Sequence, residues 1–290
     1  MKAPAFDYVR AKSLPEALAL LSRHGDEAKV IAGGQSLVPA LNLRLLSPRL
    51  LVDIGGLGEL KGIAAAGGKL RIGALTRHAE LMDSSEVAAQ APLIARGIRH
   101  VAHPAVRNRG TIGGSLANAD PATELPACML ALRAEIVAAG PDGERRIAAQ
   151  KFFTGLYETA LAADEILVAV EVPAIRLDER CAFLELARRR GDYALVGLAA
   201  QGAVRDGALS DLRLAWFGVG AKPTLAEAAA ARLVGPATEA ALAEAQAALV
   251  SDLDPQDDIQ ASAATRLHLA RVLLRRAVHE LVPGLAEAAA

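Results

Sequence analysis

Two stretches of this chain share one pattern, a strand-like apolar run followed by a Gly-Gly pair with polar neighbours. They are "KVIAGGQSLVP" at residues 29–39 and "AHPAVRNRGTIGGSLANADPATELP" at residues 102–126. A core has little use for such runs. Glycine lets a backbone approach a ligand with no Cβ in the way, and it reaches positive φ, so that successive N–H groups converge on an anion. Gly33 and Gly34 stand at the exit of the first run, with Gln35 and Ser36 as side-chain donors. Gly113 and Gly114 stand likewise in the second, between the hydroxyls of Thr111 and Ser115, with Pro104 and Pro121 restraining the flanks. Folded face to face, the two loops would clamp a pyrophosphate without a lysine. Glycine is also an ordinary turn residue. Neither stretch fits G-x-G-x-x-G or the Walker pattern, so spacing alone names no ligand.

The chain has 290 residues, enough for two or three sub-domains around a large core. Its formal net charge of −1 argues against a general nucleic-acid binder, which needs a basic excess on one face. Arg188-Arg189-Arg190, the longest basic run, reads as a solvated loop or strand end. The two cysteines, Cys128 and Cys181, make no disulfide framework and no metal spacing, so the chain cannot hold an iron–sulfur cluster by itself. The N-terminus has no apolar leader, and no run reaches the ~20 apolar residues of a membrane span. A soluble, cytoplasmic protein is expected.

The pattern divides into three units. In residues 1–55, Ser13 and Glu16 form a capping box for a helix over 13–24, "AKVIAGG" is a short buried strand, and a helix and a strand follow. Residues 56–176 open with two strands around a Gly-Gly turn, and Thr76 is expected to cap the helix over "RHAELMDS". Another helix covers 91–100, "PDGE" at 141–144 joins two strands, and "DEILVAVEVP" is an alternating strand that closes the unit. In residues 177–290, three antiparallel strands precede three alanine-rich helices starting near Thr224, Pro236 and Asp258, a separate α+β domain.

Several polar residues have two readings. Asp120, before Pro121, is an N-cap with proline at the first helical position. Glu124 suits a helix first turn, or it accepts from ribityl or ribose hydroxyls. Asn118 serves loop or ligand equally. Tyr193, in "GDYA", starts a buried strand or lays its ring over a flat ligand. His100 and His103 are read as packing and loop hydrogen-bonding groups in preference to proton carriers.

"VIAGGQSLVPALNLRLLSPRLLVDI", "HPAVRNRGTIGGSLANADPATELPA" and "RRRGDYALVG" together resemble the FAD-binding medium subunit of the molybdenum hydroxylases, the carbon monoxide dehydrogenase and xanthine dehydrogenase family. The resemblance covers essentially the whole chain. It implies an α+β protein: an FAD-binding fold of the vanillyl-alcohol oxidase and p-cresol methylhydroxylase type, made of two α/β subdomains, then the C-terminal α+β domain. Non-covalent FAD would lie between the first two units. Val30, Ile31, Ala32, Gly33, Gly34, Gln35, Ser36 and Leu37 would line it from the first loop, and Thr111, Ile112, Gly113, Gly114 and Ser115 from the second. Glu124 would meet hydroxyls of the cofactor, Leu167 would pack on the flavin and Tyr193 would cover the ring. Two departures stand out: Leu184 occupies a position where xanthine-oxidising relatives often carry lysine, and Gln35 one where some flavin oxidases carry a covalently attached histidine.

The implied function is electron transfer. A large molybdenum-cofactor subunit oxidises the substrate, a small subunit with two [2Fe–2S] clusters carries the electrons, and this chain passes them to an external acceptor, in an (αβγ)₂ assembly. No side chain here need act as acid, base or nucleophile, and no metal ligand is expected. The alternatives are a stand-alone flavin reductase of the enolpyruvyl-UDP-sugar reductase kind and a non-enzymatic nucleotide-binding scaffold. Substrate and acceptor are not written in this chain.

Overall fold

Ser13 holds the N-cap of the first helix as expected, accepting from the Glu16 amide while Glu16 accepts from the Lys12 amide. The computed structural model describes residues 2–283; Met1 of the first unit and residues 284–290 of the third lie outside the described residues. The first unit runs β1 (Asp7–Arg10), α1 (Leu14–His24), β2 (Ala28–Ile31), α2 (Leu37–Asn42) and β3 (Leu50–Asp53). Its strands lie parallel in the order β1-β3-β2. As an edge strand, β2 is shallower than its apolar sequence suggests, and only Ala28 in it is buried.

The second unit begins with β4 (Ile63–Ala66) and β5 (Lys69–Gly73) and continues through six short helices. These are α3 (His78–Asp83), α4 (Ser85–Gln90), α5 (Pro92–Gly97), α6 (Pro104–Arg107), α7 (Ile112–Asn118) and α8 (Glu124–Ala131). Then come β6 (Glu135–Gly140), β7 (Gly143–Ala148), α9 (Ala149–Phe152), the small hairpin of β8 (Phe153–Gly155) and β9 (Glu158–Thr159), and β10 (Ile166–Pro173). The main sheet has the order β4-β5-β10-β6-β7 and is antiparallel throughout.

Two local expectations change here. Arg77, not Thr76, sits at the N-cap of α3; the Thr76 hydroxyl is spent on the amide and carbonyl of Gly62, which pins the start of β4. And β10 is not half-buried, since every residue from Ile166 to Val172 is buried. It is the central strand, and both its faces are covered. Ile166, Val168 and Ala169 join the core of the first unit, whereas Leu167, Val170 and Val172 join the core under the helices. A bulge between Leu167 and Ala169 shifts the register between these sets.

The third unit has three long antiparallel strands, β11 (Glu179–Ala187), β12 (Ala194–Arg205) and β13 (Ala208–Phe217). They are followed by β14 (Thr224–Leu225), α10 (Glu227–Leu233), β15 (Gly235–Pro236), α11 (Glu239–Asp252) and α12 (Ala263–Leu281). The sheet therefore has five strands where three were expected, because β14 and β15 both pair with β13. Ala182, Leu184 and Leu186 of β11 face the helices of this unit, while Cys181 and Phe183 pack into the core of the second. Both faces of this sheet are thus covered, one by α10–α12 and the other by α5 and α8.

Candidate functional site

The first glycine pair sits in the turn from β2 to α2. Gly34 has φ +70°, a left-handed conformation that costs glycine little. Gln35 folds back and donates to the Gly33 carbonyl at 3.0 Å. Ser36 holds the N-cap of α2 without a capping bond from its hydroxyl. Val30 and Ile31 lie on β2 and Leu37 opens α2, all half-buried. Among the described residues, the backbone amides of Gly33, Gly34, Gln35, Ser36 and Leu37 have no protein acceptor. Ser36 and Leu37 carry the ordinary orphan donors of a helix start, and with Gly33, Gly34 and Gln35 they make five consecutive amides free to donate.

The first pair approaches the backbone three to four residues ahead of the second. A Cβ built on Gly33 would lie 2.2 Å from the Arg109 carbonyl oxygen and 3.0 Å from the Gly110 Cα. The first loop therefore rests on the backbone just ahead of Thr111. Its partner is not a loop after a strand, however. Pro104 starts α6, and Gly113 and Gly114 lie in the first turn of α7, where Thr111 caps the Gly114 amide at 3.1 Å. The Ile112 amide donates to Thr76 and the Gly113 amide to Ala74, so the amides of this turn are already satisfied. Gly113 is bare because Ala74 touches it: an added Cβ would come 2.6 Å from the Ala74 Cβ. One glycine pair presents donors; the other permits close packing. Ser115 bonds the His78 ring at 3.0 Å, and burial pushes His78 down to about 4, so this imidazole is neutral.

Downstream of α7, Asp120 is not an N-cap, since α8 starts at Glu124 with Thr123 at its N-cap. The Asp120 carboxylate instead closes a turn by accepting from the Ala122 amide, and it accepts from the Tyr157 hydroxyl at 3.1 Å. The Pro121 carbonyl accepts from the Gly218 amide. Glu124 is buried, and its carboxyl is pushed up to about 7 by desolvation, with Asp120 adding to the effect. Tyr157, held at φ 55°, is pushed up to about 12 by burial and by Asp120. Tyr193 precedes β12 and is 58 % exposed, so it does not start a buried strand. Burial, and after it the fields of Asp120 and Glu124, hold its hydroxyl above the ordinary tyrosine range. Leu167 is buried in β10, within the core beneath the helices. His103 lies under Gly191, whose added Cβ would meet its ring at 2.8 Å.

Residues 4–175 match the family model described as the FAD binding domain in molybdopterin dehydrogenase, and residues 181–281 match the CO dehydrogenase flavoprotein C-terminal domain. The chain belongs to this family. It is an FAD-binding medium subunit of the molybdenum hydroxylase type, an oxidoreductase flavoprotein. It is 40 % identical to the 6-hydroxypseudooxynicotine dehydrogenase complex subunit alpha of Paenarthrobacter nicotinovorans, over 95 % of this chain and 94 % of that one. It is 37 % identical to the carbon monoxide dehydrogenase medium chain of Hydrogenophaga pseudoflava, over 95 % and 96 %. A solved structure of carbon monoxide dehydrogenase from that organism superposes with a TM-score of 0.94 at 38 % identity, covering 97 % of this chain and 98 % of that chain. Among the described residues, no helix is long and apolar enough to cross a membrane.

For this flavoprotein subunit the cradle fits its cofactor: unpaired amides and a Cβ-free floor suit a diphosphate. Sequence reasoning missed Arg109, Gly110 and Tyr157. Arg109 enters through its carbonyl, which no side-chain pattern reveals.

Proposed function

We propose that this chain is the FAD-carrying electron-transfer subunit of a molybdenum-containing hydroxylase or dehydrogenase. It stands between the [2Fe–2S] clusters of a small partner subunit and an external acceptor, with a large molybdenum-cofactor subunit oxidising the substrate in an (αβγ)₂ assembly in the cytoplasm. The observation that carries the reading is the run of free amides from Gly33 to Leu37, seated on the Arg109 carbonyl between the first two units. FAD supplies the exchange of single electrons with clusters and of electron pairs with an acceptor.

The protein's own contribution is to hold and orient. Ala32 to Leu37 receive the diphosphate, with Val30 and Ile31 beside them, and the segment Thr111–Ser115 forms the opposite wall. Glu124 accepts from hydroxyls of the cofactor, Leu167 packs beneath the flavin, and the exposed ring of Tyr193 covers it. Gln35 offers no group for a covalent bond, so the cofactor is released on denaturation. Boundaries near residues 55 and 176 divide the two cofactor-binding subdomains from the C-terminal domain.

The purified chain tests this directly. It is expected to be yellow, to release about one FAD on heating, and to turn over no substrate alone. The tagged subunit is expected to co-purify with a molybdenum protein and an iron–sulfur protein. A colourless chain that takes up no added FAD would overturn the reading.

A further inference from the structure

A cavity of about 240 Å³ opens at the seam between the second and third units, and no residue of the cofactor cradle lines it. Its walls come from the end of α8, the exit of β10 and the sheet of the third unit. One molecule of liquid water takes about 30 Å³, so the space suits a small organic molecule.

A bulge shapes the polar side of this cavity. Between the paired positions Gln201–Arg213 and Ala203–Ser210, β13 carries one residue more than β12. Asp211 lies in that bulge at φ 53°, and its carboxylate accepts two bonds from Arg133, itself at φ 54°. Such bulges re-aim side chains out of the regular ladder. Two polar groups of the lining are left over. Gln201 is 8 % exposed, and its Oε1 is buried with no hydrogen-bond partner. Arg213, directly across the ladder from it, gives Nε to the Leu130 carbonyl at 3.0 Å and, among the described residues, has no carboxylate partner. The two acids of the lining are already claimed. Asp211 pairs with Arg133 and Arg176, and Glu179 with Arg176 at 3.3 Å.

A buried acceptor without a donor is unfavourable, and so is a half-buried guanidinium without a counter-charge. An occupant that cures both must offer a donor to Gln201 and an anionic acceptor to Arg213. Charge narrows the choice. Arg133, Arg176 and Arg213 outnumber Glu179 and Asp211 by one, so a single negative charge balances the lining and a zwitterion does not.

We propose that this cavity is a binding site for a small hydroxycarboxylate, whose carboxylate accepts from the terminal nitrogens of Arg213 and whose hydroxyl donates to Oε1 of Gln201. Leu132 and Pro173 give its short carbon chain an apolar wall. Bound there, the molecule bridges the second and third units. The site stands apart from the flavin reading and does not depend on it.

Calorimetric titration of the full, FAD-saturated chain with glycolate, lactate and 3-hydroxybutyrate tests the site, with propionate and inorganic phosphate as controls. At least one hydroxy acid is expected to bind with a Kd below about 1 mM, and propionate and phosphate at least tenfold more weakly. Arg213→Gln is expected to abolish binding. Gln201→Leu removes the orphaned acceptor, so it is expected to melt no lower than wild type and to bind the hydroxy acid no better than propionate. Failure of all three hydroxy acids to bind, equal binding of propionate or phosphate, or a Gln201→Leu chain that still prefers the hydroxy acid overturns the proposal. So does undiminished binding by a folded Arg213→Gln chain.

Discussion

The backbone of Gly33 rests on the carbonyl oxygen of Arg109, so closely that a Cβ on the glycine would come within 2.2 Å of it. Gly33→Ala must push the two segments apart and disorder the row of amides above them. Overpacking of this kind costs about 1–3 kcal/mol. Flavin affinity, read by fluorescence titration, is expected to fall by roughly tenfold or more, the equivalent of ~1.4 kcal/mol. An affinity equal to wild type would remove this contact from the site.

Gly113→Ala should behave differently. Its new Cβ meets Ala74 and not a ligand surface, so the substitution destabilises the junction of α7 with the end of β5. A loss of about 1–3 kcal/mol in urea unfolding is expected, with flavin affinity little changed in the protein that remains folded. A large affinity loss with normal stability would give this glycine a direct part in binding.

Glu124 opposes folding above acidic pH. Its carboxyl ionises near 4.5 in the unfolded chain and at about 7 in the folded one, so stability falls as pH rises across that interval. Glu124→Gln is expected to raise the stability of the flavin-free protein at pH 8 by up to about 3 kcal/mol and to leave it nearly unchanged at pH 4. The same substitution weakens flavin binding if the carboxylate accepts from cofactor hydroxyls. Paired melting and titration experiments separate the two effects.

His78 acts in the opposite sense. Its folded value of about 4 lies below the ordinary 6.5, so the unfolded state gains a proton first as pH falls, and stability is lost between 6.5 and 4. From pH 7 to pH 5 this group alone costs about 2 kcal/mol. Over the same range Glu124 gains stability, so the two trends offset one another in the wild type. His78→Gln is expected to make the protein relatively more stable at pH 5, measured by urea unfolding at both pH values.

The sequence carried the element order well, because caps and turns speak locally: Ser13 with Glu16, the turn at 141–144 and the long strands of the third unit all lie where their residues place them. It failed where an outcome depended on a distant surface. Seven consecutive buried residues in β10 require cover on two sides, which alternation cannot reveal. Thr76 and Asp120 have good capping chemistry, but Gly62 and Tyr157 claim their side chains. At the site, the approach of the first glycine pair to the segment that carries the second could be expected from their matching decoration. That only the first offers its amides could not, since Thr76 and Ala74 reach the second through backbone carbonyls.

Because Ile166, Val168 and Ala169 of the second unit complete the interior of the first, the first unit owns no finished interior of its own, and the second turns part of its central strand outward to supply it. A fragment starting at residue 56 would turn a row of aliphatic side chains toward water, and one ending at residue 55 would lack half its lining. Anyone dissecting or transplanting this flavoprotein has to move both units as a single piece.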